Sequence, residues 1–466
     1  MSLDKIFKTS AITGVMSIIT MTASLVRGKV MALCLGPAGV GMSGILNQVS
    51  ALEAQILGIG LPTVAVKSVA GASAEDRPKV ESVIGRLALF LGLLGLMLGL
   101  ALSPLLTVVT FGTTEHWALM IAAALAVPAA IMTSIWSAVI QGRGEVGFIA
   151  KSQAGFAVAS AIIAVPLIWF GGLAGLGASM VVASLVPVAG LWNRRPRLQD
   201  PAPEDKATRD PIIRAGLAIL AAIAIAQVAA YASRLAVVSQ LGVFDAGLYQ
   251  AAFAVSGGLP GFVFSAMALD YYPRISAAKS DEEVAHATNL QVLACTVIAT
   301  PVFVGMIIFG GQLLDFYYTK EFLGASGLMV WMTVSVAFRV ISWPAGYWLL
   351  AKATPREYLL IEGPSAVLGP LVTFCLLPSV GLAGAGMAMV LSALVYALVI
   401  LTFMYRRGGI SYAGSTWGWA ILCAVQVGIA CLFFHQGASL LYGGLFLAAS
   451  IAISSVAYPL IRRAKA

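Results

Sequence analysis

The sequence predicts an all-α polytopic membrane protein of about fourteen transmembrane helices. Two observations carry this. Of 466 residues, 60% are hydrophobic and 10% charged, against roughly 25% charged in a soluble domain; the mean hydropathy is +0.94. The apolar residues also gather into about fourteen stretches, each long enough to supply the ~20 residues of a helical span. Alternating ten-residue strands of the outer-membrane barrel type are absent.

The spans run over residues 8–34, 41–70, 83–111, 116–141, 149–170, 173–192, 212–240, 246–273, 288–314, 325–351, 358–379, 381–404, 416–434 and 438–461. They use roughly two-thirds of the chain, which leaves short loops and excludes a large extramembrane domain and most soluble-enzyme chemistry. The first apolar run is too long for a signal-peptide core, so the first helix reads as a retained span. With the N-terminus inside, 23 of the 28 Lys and Arg residues fall on the cytoplasmic side or within three residues of that end of a span, one (Lys320) outside and four deeper within spans. That asymmetry predicts that both termini are cytoplasmic. It also accounts for the net charge of +8 as a topology signal, with no nucleic-acid partner.

The Pro- and charge-rich segment 193–211 reads as a flexible cytoplasmic linker. It separates a six-helix lobe at 1–192 from another at 212–404, with 405–466 as an extra two-helix hairpin and a basic tail. A weak repeat supports the division. Leu35-Gly36-Pro37-Ala38-Gly39-Val40-Gly41 closes the first span and Leu241-Gly242-Val243-Phe244-Asp245-Ala246-Gly247-Leu248-Tyr249 the seventh. A similarity held at constant offset marks a duplicated transporter bundle. An even number of spans per half gives both halves one orientation, around a central cavity.

A charge at mid-membrane costs about 2.5–3.5 kcal/mol on insertion scales, so Arg27, Lys29, Arg234 and Arg339 are expected to face water, a partner or a ligand. Arg27 shares one helical face with Thr13, Ser17, Thr20 and Ser24, and Arg234 shares one with Gln227 and Tyr231. Each arginine precedes its Leu-Gly pair by eight or nine residues, which sets the two at similar depth. Paired guanidiniums suit a phosphate or diphosphate. Snorkelling to the headgroups is the competing reading, and the polar stripe favours the cavity. Lys29 lies on another face, where snorkelling or interlobe packing fits. Arg339 is more central, on a face with Ser335, Ser342 and Gly346. Glu53 is either a coupling site or the counter-ion of Arg27. Asp270 and Glu362 read as solvated helix ends rather than gates. Gly257, Gly258, Pro260 and Gly261 are expected to interrupt span 8, as a hinge or as a static kink. The five cysteines read as packing residues. No P-loop, metal-ligand cluster or catalytic constellation is present, so no cofactor, metal or catalytic residue is expected.

Two six-helix lobes, a polar first span with a late arginine, the Leu-Gly-Pro-Ala-Gly-Val-Gly closure and its echo in span 7 together resemble one group. These are the Wzx-type O-antigen/polysaccharide translocases of the multidrug/oligosaccharidyl-lipid/polysaccharide (MOP) flippase superfamily. The resemblance covers residues 1–404. It implies two lobes around a cationic cavity and transfer of undecaprenyl-diphosphate-linked oligosaccharide (an O-antigen or exopolysaccharide repeat unit) to the periplasmic leaflet by alternating access, within a pathway that includes polysaccharide polymerase and assembly proteins. It also implies that Arg27 and Arg234 engage the diphosphate, and Arg339 less securely. The added hairpin resembles the lipid II flippases instead. The four in-span cations against Glu53 leave a net of about +3, which suits an anionic headgroup. A cation or drug antiporter of the same superfamily is the runner-up, kept alive by Glu53, with a lipid II flippase and a membrane-embedded polymerase as further alternatives.

Overall fold

The computed structural model describes residues 3–199, 205–278, 280–437 and 439–465. Among them the regular elements are all helical: α1 (Leu3–Leu57), α2 (Leu61–Gly71), α3 (Arg77–Phe111), α4 (Trp117–Gly142), α5 (Val146–Leu191), α6 (Asp205–Ala277), α7 (Asp281–Ile308), α8 (Gly310–Tyr317), α9 (Ser326–Lys352), α10 (Pro355–Val380), α11 (Leu382–Gly408), α12 (Gly414–His435) and α13 (Leu440–Lys465). Ten helices among the described residues are long and apolar enough to cross a membrane. With α1 and α5 each holding two spans joined at one glycine, these ten supply twelve, and α6, which is not among the ten, has room for the other two of the predicted fourteen.

Those glycines share a conformation. Gly36 in α1 has φ 61° and ψ −166°, Gly172 in α5 has φ 55° and ψ −131°, and Gly242 in α6 has φ 88° and ψ 176°. Gly381, between α10 and α11, has φ 65° and ψ −150°. This region is essentially closed to residues with a Cβ. One such residue reverses the chain between two spans and leaves almost no loop polar groups to satisfy. A second glycine follows in each case, and at Gly175 an added Cβ would sit 1.8 Å from the Leu167 carbonyl oxygen. The pattern Gly-x-Ala-Gly therefore recurs at 36–39, 172–175 and 381–384, with a longer form at 242–247.

The chain divides into two compact units, Met1–Gly247 and Leu248–Ala466. The segment of α6 up to Gly247 thus groups with the first unit, whereas the repeat puts its boundary at 193–211. In the first unit, Leu61, Val64 and Val69 of α2 pack with Ile84, Leu91, Val127, Ile131 and Ile135 of α3 and α4 in one buried cluster. Arg143, just past α4, holds Glu81 of α3 by two hydrogen bonds of 2.8 and 2.5 Å and donates to the Arg194 carbonyl at 2.9 Å. The bond to Glu81 raises the Arg143 pKa above its usual value. The start of the expected flexible linker is tied down too. The Gln199 amide donates to Ser82 Oγ at 2.8 Å, and Arg86 donates to the Gln199 carbonyl at 3.0 Å. Residues 200–204 of that linker lie outside the described residues.

In the second unit the last two helices are part of the core. Cys423, Val427 and Ala430 of α12 are buried with Cys295, Phe303 and Ile307 of α7, and Ala457 of α13 packs on Leu290, Ala294 and Val297. Asn289 of α7 ties down the connection before α12: its Oδ1 accepts from the Ala413 amide at 2.7 Å and from Thr416 at 2.8 Å. Tyr271 is buried and joins three helices, bonded to Thr288 at 2.9 Å and donating to the Pro344 carbonyl at 3.0 Å. The backbone of α6 stays helical through residues 257–261, which corrects the expected interruption. A proline removes a single intrahelical hydrogen bond, and that loss alone does not break this helix.

Gly381→Ala is expected to lower stability by about 1–3 kcal/mol, from the strain of a Cβ at positive φ, read as a fall in Tm of the detergent-solubilised protein. Gly257, helical and facing open space, provides the control. Gly257→Ala should leave Tm unchanged or raise it, because alanine is the better helix former by about 0.5–1 kcal/mol.

Candidate functional site

In the first unit, the polar stripe of α1 is partly self-satisfied. Thr20 donates to the Met16 carbonyl and Ser24 to the Thr20 carbonyl, each at 2.9 Å. Such back-bonding to the preceding turn is how hydroxyls lie in apolar surroundings. The Thr13 and Ser17 side chains lie outside the described ones. Arg27 is half-buried and has no hydrogen-bond or ion-pair partner among the described residues. Its neighbour in sequence, Val26, lines with Ile19, Thr22 and Ala23 of α1 and Val158, Ala161, Ile162 and Val165 of α5 an apolar groove of about 480 Å³.

Arg234 is half-buried in the same unit, and its Nη1 donates to the Ala230 carbonyl at 3.3 Å. Its predicted neighbours are committed to packing contacts. Gln227 Oε1 accepts from Gln48 at 3.1 Å, and buried Tyr231 bonds Thr110 at 2.8 Å. Glu53 makes no ion pair with Arg27. Its Oε2 is buried without a hydrogen bond, in a notch left by the missing side chain of Gly99, where an added Cβ would sit 3.0 Å away. The hairpin tips that carry the sequence repeat pack against each other within this unit. A Cβ on Gly247 would meet the Pro37 carbonyl oxygen at 1.8 Å, and one on Gly41 the Val243 carbonyl oxygen at 2.3 Å.

In the second unit, Arg339 opens into a cavity of about 300 Å³ lined by Ser342, Trp343, Gly346, Tyr347 and Leu350 of α9, Tyr358 and Glu362 of α10, and Tyr396 of α11. Arg339 is exposed, and its guanidinium has no hydrogen-bond or ion-pair partner among the described residues, although its carbonyl accepts from Ser342 at 3.3 Å. Tyr396 donates to Glu362 Oε1 at 2.6 Å. Gly346 leaves room for that hydroxyl, which would lie 3.0 Å from an added Cβ. Trp343 is stacked on Phe264 with centroids 5.4 Å apart, and its edge contact to Tyr347 is 4.7 Å. Sequence reasoning found Arg339, Ser342 and Gly346 but missed the aromatic residues and read Glu362 as a solvated helix end. The signal was there: Arg339, Trp343 and Tyr347 recur at steps of four, as do Tyr358 and Glu362. Of the span-8 residues, Gly257 and Gly258 are exposed and Pro260 is buried.

The model of a family described as polysaccharide biosynthesis protein matches residues 6–279. The chain belongs to that family. A lipid III flippase of Escherichia coli (strain K12) is 24% identical over 410 residues, covering 84% of this chain and 95% of the relative. Among solved structures, the lipid II flippase MurJ in an inward closed conformation superposes with a TM-score of 0.66 at 12% identity, over 98% of this chain and all of that one. An inward-facing multidrug resistance MATE transporter of the MOP superfamily gives 0.67 at 13% identity, over 86% of this chain and 98% of that one. The fold is therefore that of the MOP superfamily, and this polysaccharide biosynthesis family member is a multi-pass membrane protein.

Tyr396→Phe is expected to destabilise the protein by about 1.5–3 kcal/mol, the usual worth of a hydrogen bond to a charged group. A thermal-shift measurement in detergent reads this, and Gly346→Val should reproduce it by displacing the same hydroxyl.

Proposed function

We propose that the protein is a flippase that carries undecaprenyl-diphosphate-linked oligosaccharide, an O-antigen or exopolysaccharide repeat unit, from the cytoplasmic to the periplasmic leaflet of a bacterial inner membrane by alternating access, with both termini cytoplasmic. It is a transporter and not an enzyme. The observation that carries the substrate reading is Arg27: an unpaired guanidinium inside a span costs about 2.5–3.5 kcal/mol, and an anionic ligand offsets that. With the apolar groove that its sequence neighbour Val26 lines, it gives a lipid-linked diphosphate both a charge partner and a path for its chain. Arg234 adds a second cation in the same unit. The relatedness to a lipid III flippase supports a polyprenyl-linked glycan. Polysaccharide polymerase and other assembly proteins are then the downstream partners.

Glu53 supports a second reading, an antiporter for cationic drugs, because its buried carboxylate oxygen lacks a partner. In a flippase the same group is the candidate coupling residue. Mass spectrometry of polyprenol-linked glycans in a strain lacking the protein separates these. Single repeat units on the cytoplasmic leaflet are expected. Their absence, with new sensitivity to cationic drugs, would instead select the antiporter, and accumulation of lipid II would select that substrate.

Arg27→Ala should cut complementation of that strain about 10-fold to 100-fold, from the ~1.5–3 kcal/mol of a charge-assisted hydrogen bond, with Arg27→Lys intermediate because lysine lacks the bidentate fork. The touching hairpin tips must part in the opposite state. Gly247→Ala should therefore weaken their contact and raise thiol labelling of a cysteine introduced at Ala38, compared with the same cysteine in the parent protein.

A further inference from the structure

We propose that the Arg339 cavity of the second unit is a sugar-binding subsite that takes one glycan residue of the transported lipid, not its diphosphate. This rests on the flippase reading and assigns a part of the substrate to that cavity. Its volume of about 300 Å³ is at the small end of ligand cavities, which suits one sugar ring and is too small for a whole repeat unit or a polyprenyl chain.

Its charge pattern points the same way. Arg339 and Glu362 line it together, so the pair brings no net charge to attract a diphosphate, and a carboxylate repels one. Yet no ion pair joins them among the described residues, although each would be the natural partner of the other in an apolar span. Held apart, they face the cavity as a donor fork and an acceptor. Tyr396 occupies Glu362 Oε1 at 2.6 Å and orients the carboxylate. Vicinal sugar hydroxyls, each both donor and acceptor, fit such a set. Trp343, Tyr347 and Tyr358 supply the apolar complement, because the C–H face of a pyranose carries weakly positive hydrogens that match the negative face of an aromatic ring. Trp343 is held in place by Phe264 and Tyr347, a preformed platform that loses little freedom on binding.

The test uses the full-length protein in nanodiscs and tryptophan fluorescence titration with two probes. One is the lipid-linked oligosaccharide extracted from the strain lacking the protein; the other is undecaprenyl diphosphate without sugar. Glu362→Gln, which keeps shape and the bond from Tyr396, and Tyr358→Leu should each weaken the glycosylated lipid about tenfold and leave undecaprenyl diphosphate unchanged. Arg27→Ala should weaken both. Equal loss for both probes, or for neither, in the Glu362 and Tyr358 variants overturns the subsite. A wild-type protein that binds both lipids equally overturns it as well, while sparing the flippase reading. Failure of the wild type to bind either lipid removes the flippase reading, and the subsite with it.

Discussion

Everything in this fold depends on one requirement of hydrocarbon, that backbone N–H and C=O groups find their partners inside the protein. The chain meets it by keeping nearly all of its described residues helical and by reversing direction at single glycines. Gly36, Gly172, Gly242 and Gly381 reach a backbone region that other residues leave almost empty, and so two spans join with almost no loop. Gly39, Gly175 and Gly384 let the returning helix start against the one just ended. Because the tips at Gly36 and Gly242 are so bare, their backbones meet at Gly41 and Gly247, where a side chain on either would hold them apart.

Within that frame, charge is placed sparingly. Glu81 and Arg143 satisfy each other near a helix end and secure the first unit. Arg27 and Glu53 of the first unit form no ion pair with each other, and neither do Arg339 and Glu362 of the second, though each sits in a span. An apolar environment selects strongly against such groups, so their retention without mutual pairing sets them apart from the structural ion pairs. Arg27 follows Val26, which lines an apolar groove, whereas Arg339 lies among aromatic rings and a carboxylate. The two guanidiniums thus occupy chemically different surroundings, and a lipid-linked glycan has parts to match both.

The span pattern was legible because hydropathy over twenty residues depends little on tertiary context. The first and third hairpin glycines were legible through the repeat. Gly172 and Gly381 carry the same Gly-x-Ala-Gly signature but lie in apolar runs, where a glycine ordinarily reads as helix packing. The commitment of Gln227 to Gln48 and of Tyr231 to Thr110 could not be read, because a polar residue on a helical face looks the same whether it faces water or a partner helix. Glu362 was misjudged for a related reason. Its position near a helix end suggested solvent, and only α11 brings Tyr396 across to it. The glycines and proline at 257–261 suggested a break, but a helix packed on its neighbours tolerates one missing hydrogen bond.

The one-residue reversals also bear on how the polypeptide is made. A hydrophilic loop has to be dragged through the bilayer during synthesis, and the glycine turns carry almost nothing to drag. Each pair of helices can leave the insertion machinery as a closed hairpin, so that passage through the lipid and folding of the pair become a single event. By parity of the spans, all four turns arrive on one side of the membrane. On the same count of spans, 23 of the 28 Lys and Arg residues are expected on the other side, as anchors that do not have to cross. The same glycines that shape the finished transporter thereby lower the barrier to its assembly, and a fault at one of them would first appear as misthreaded helices rather than as slow transport.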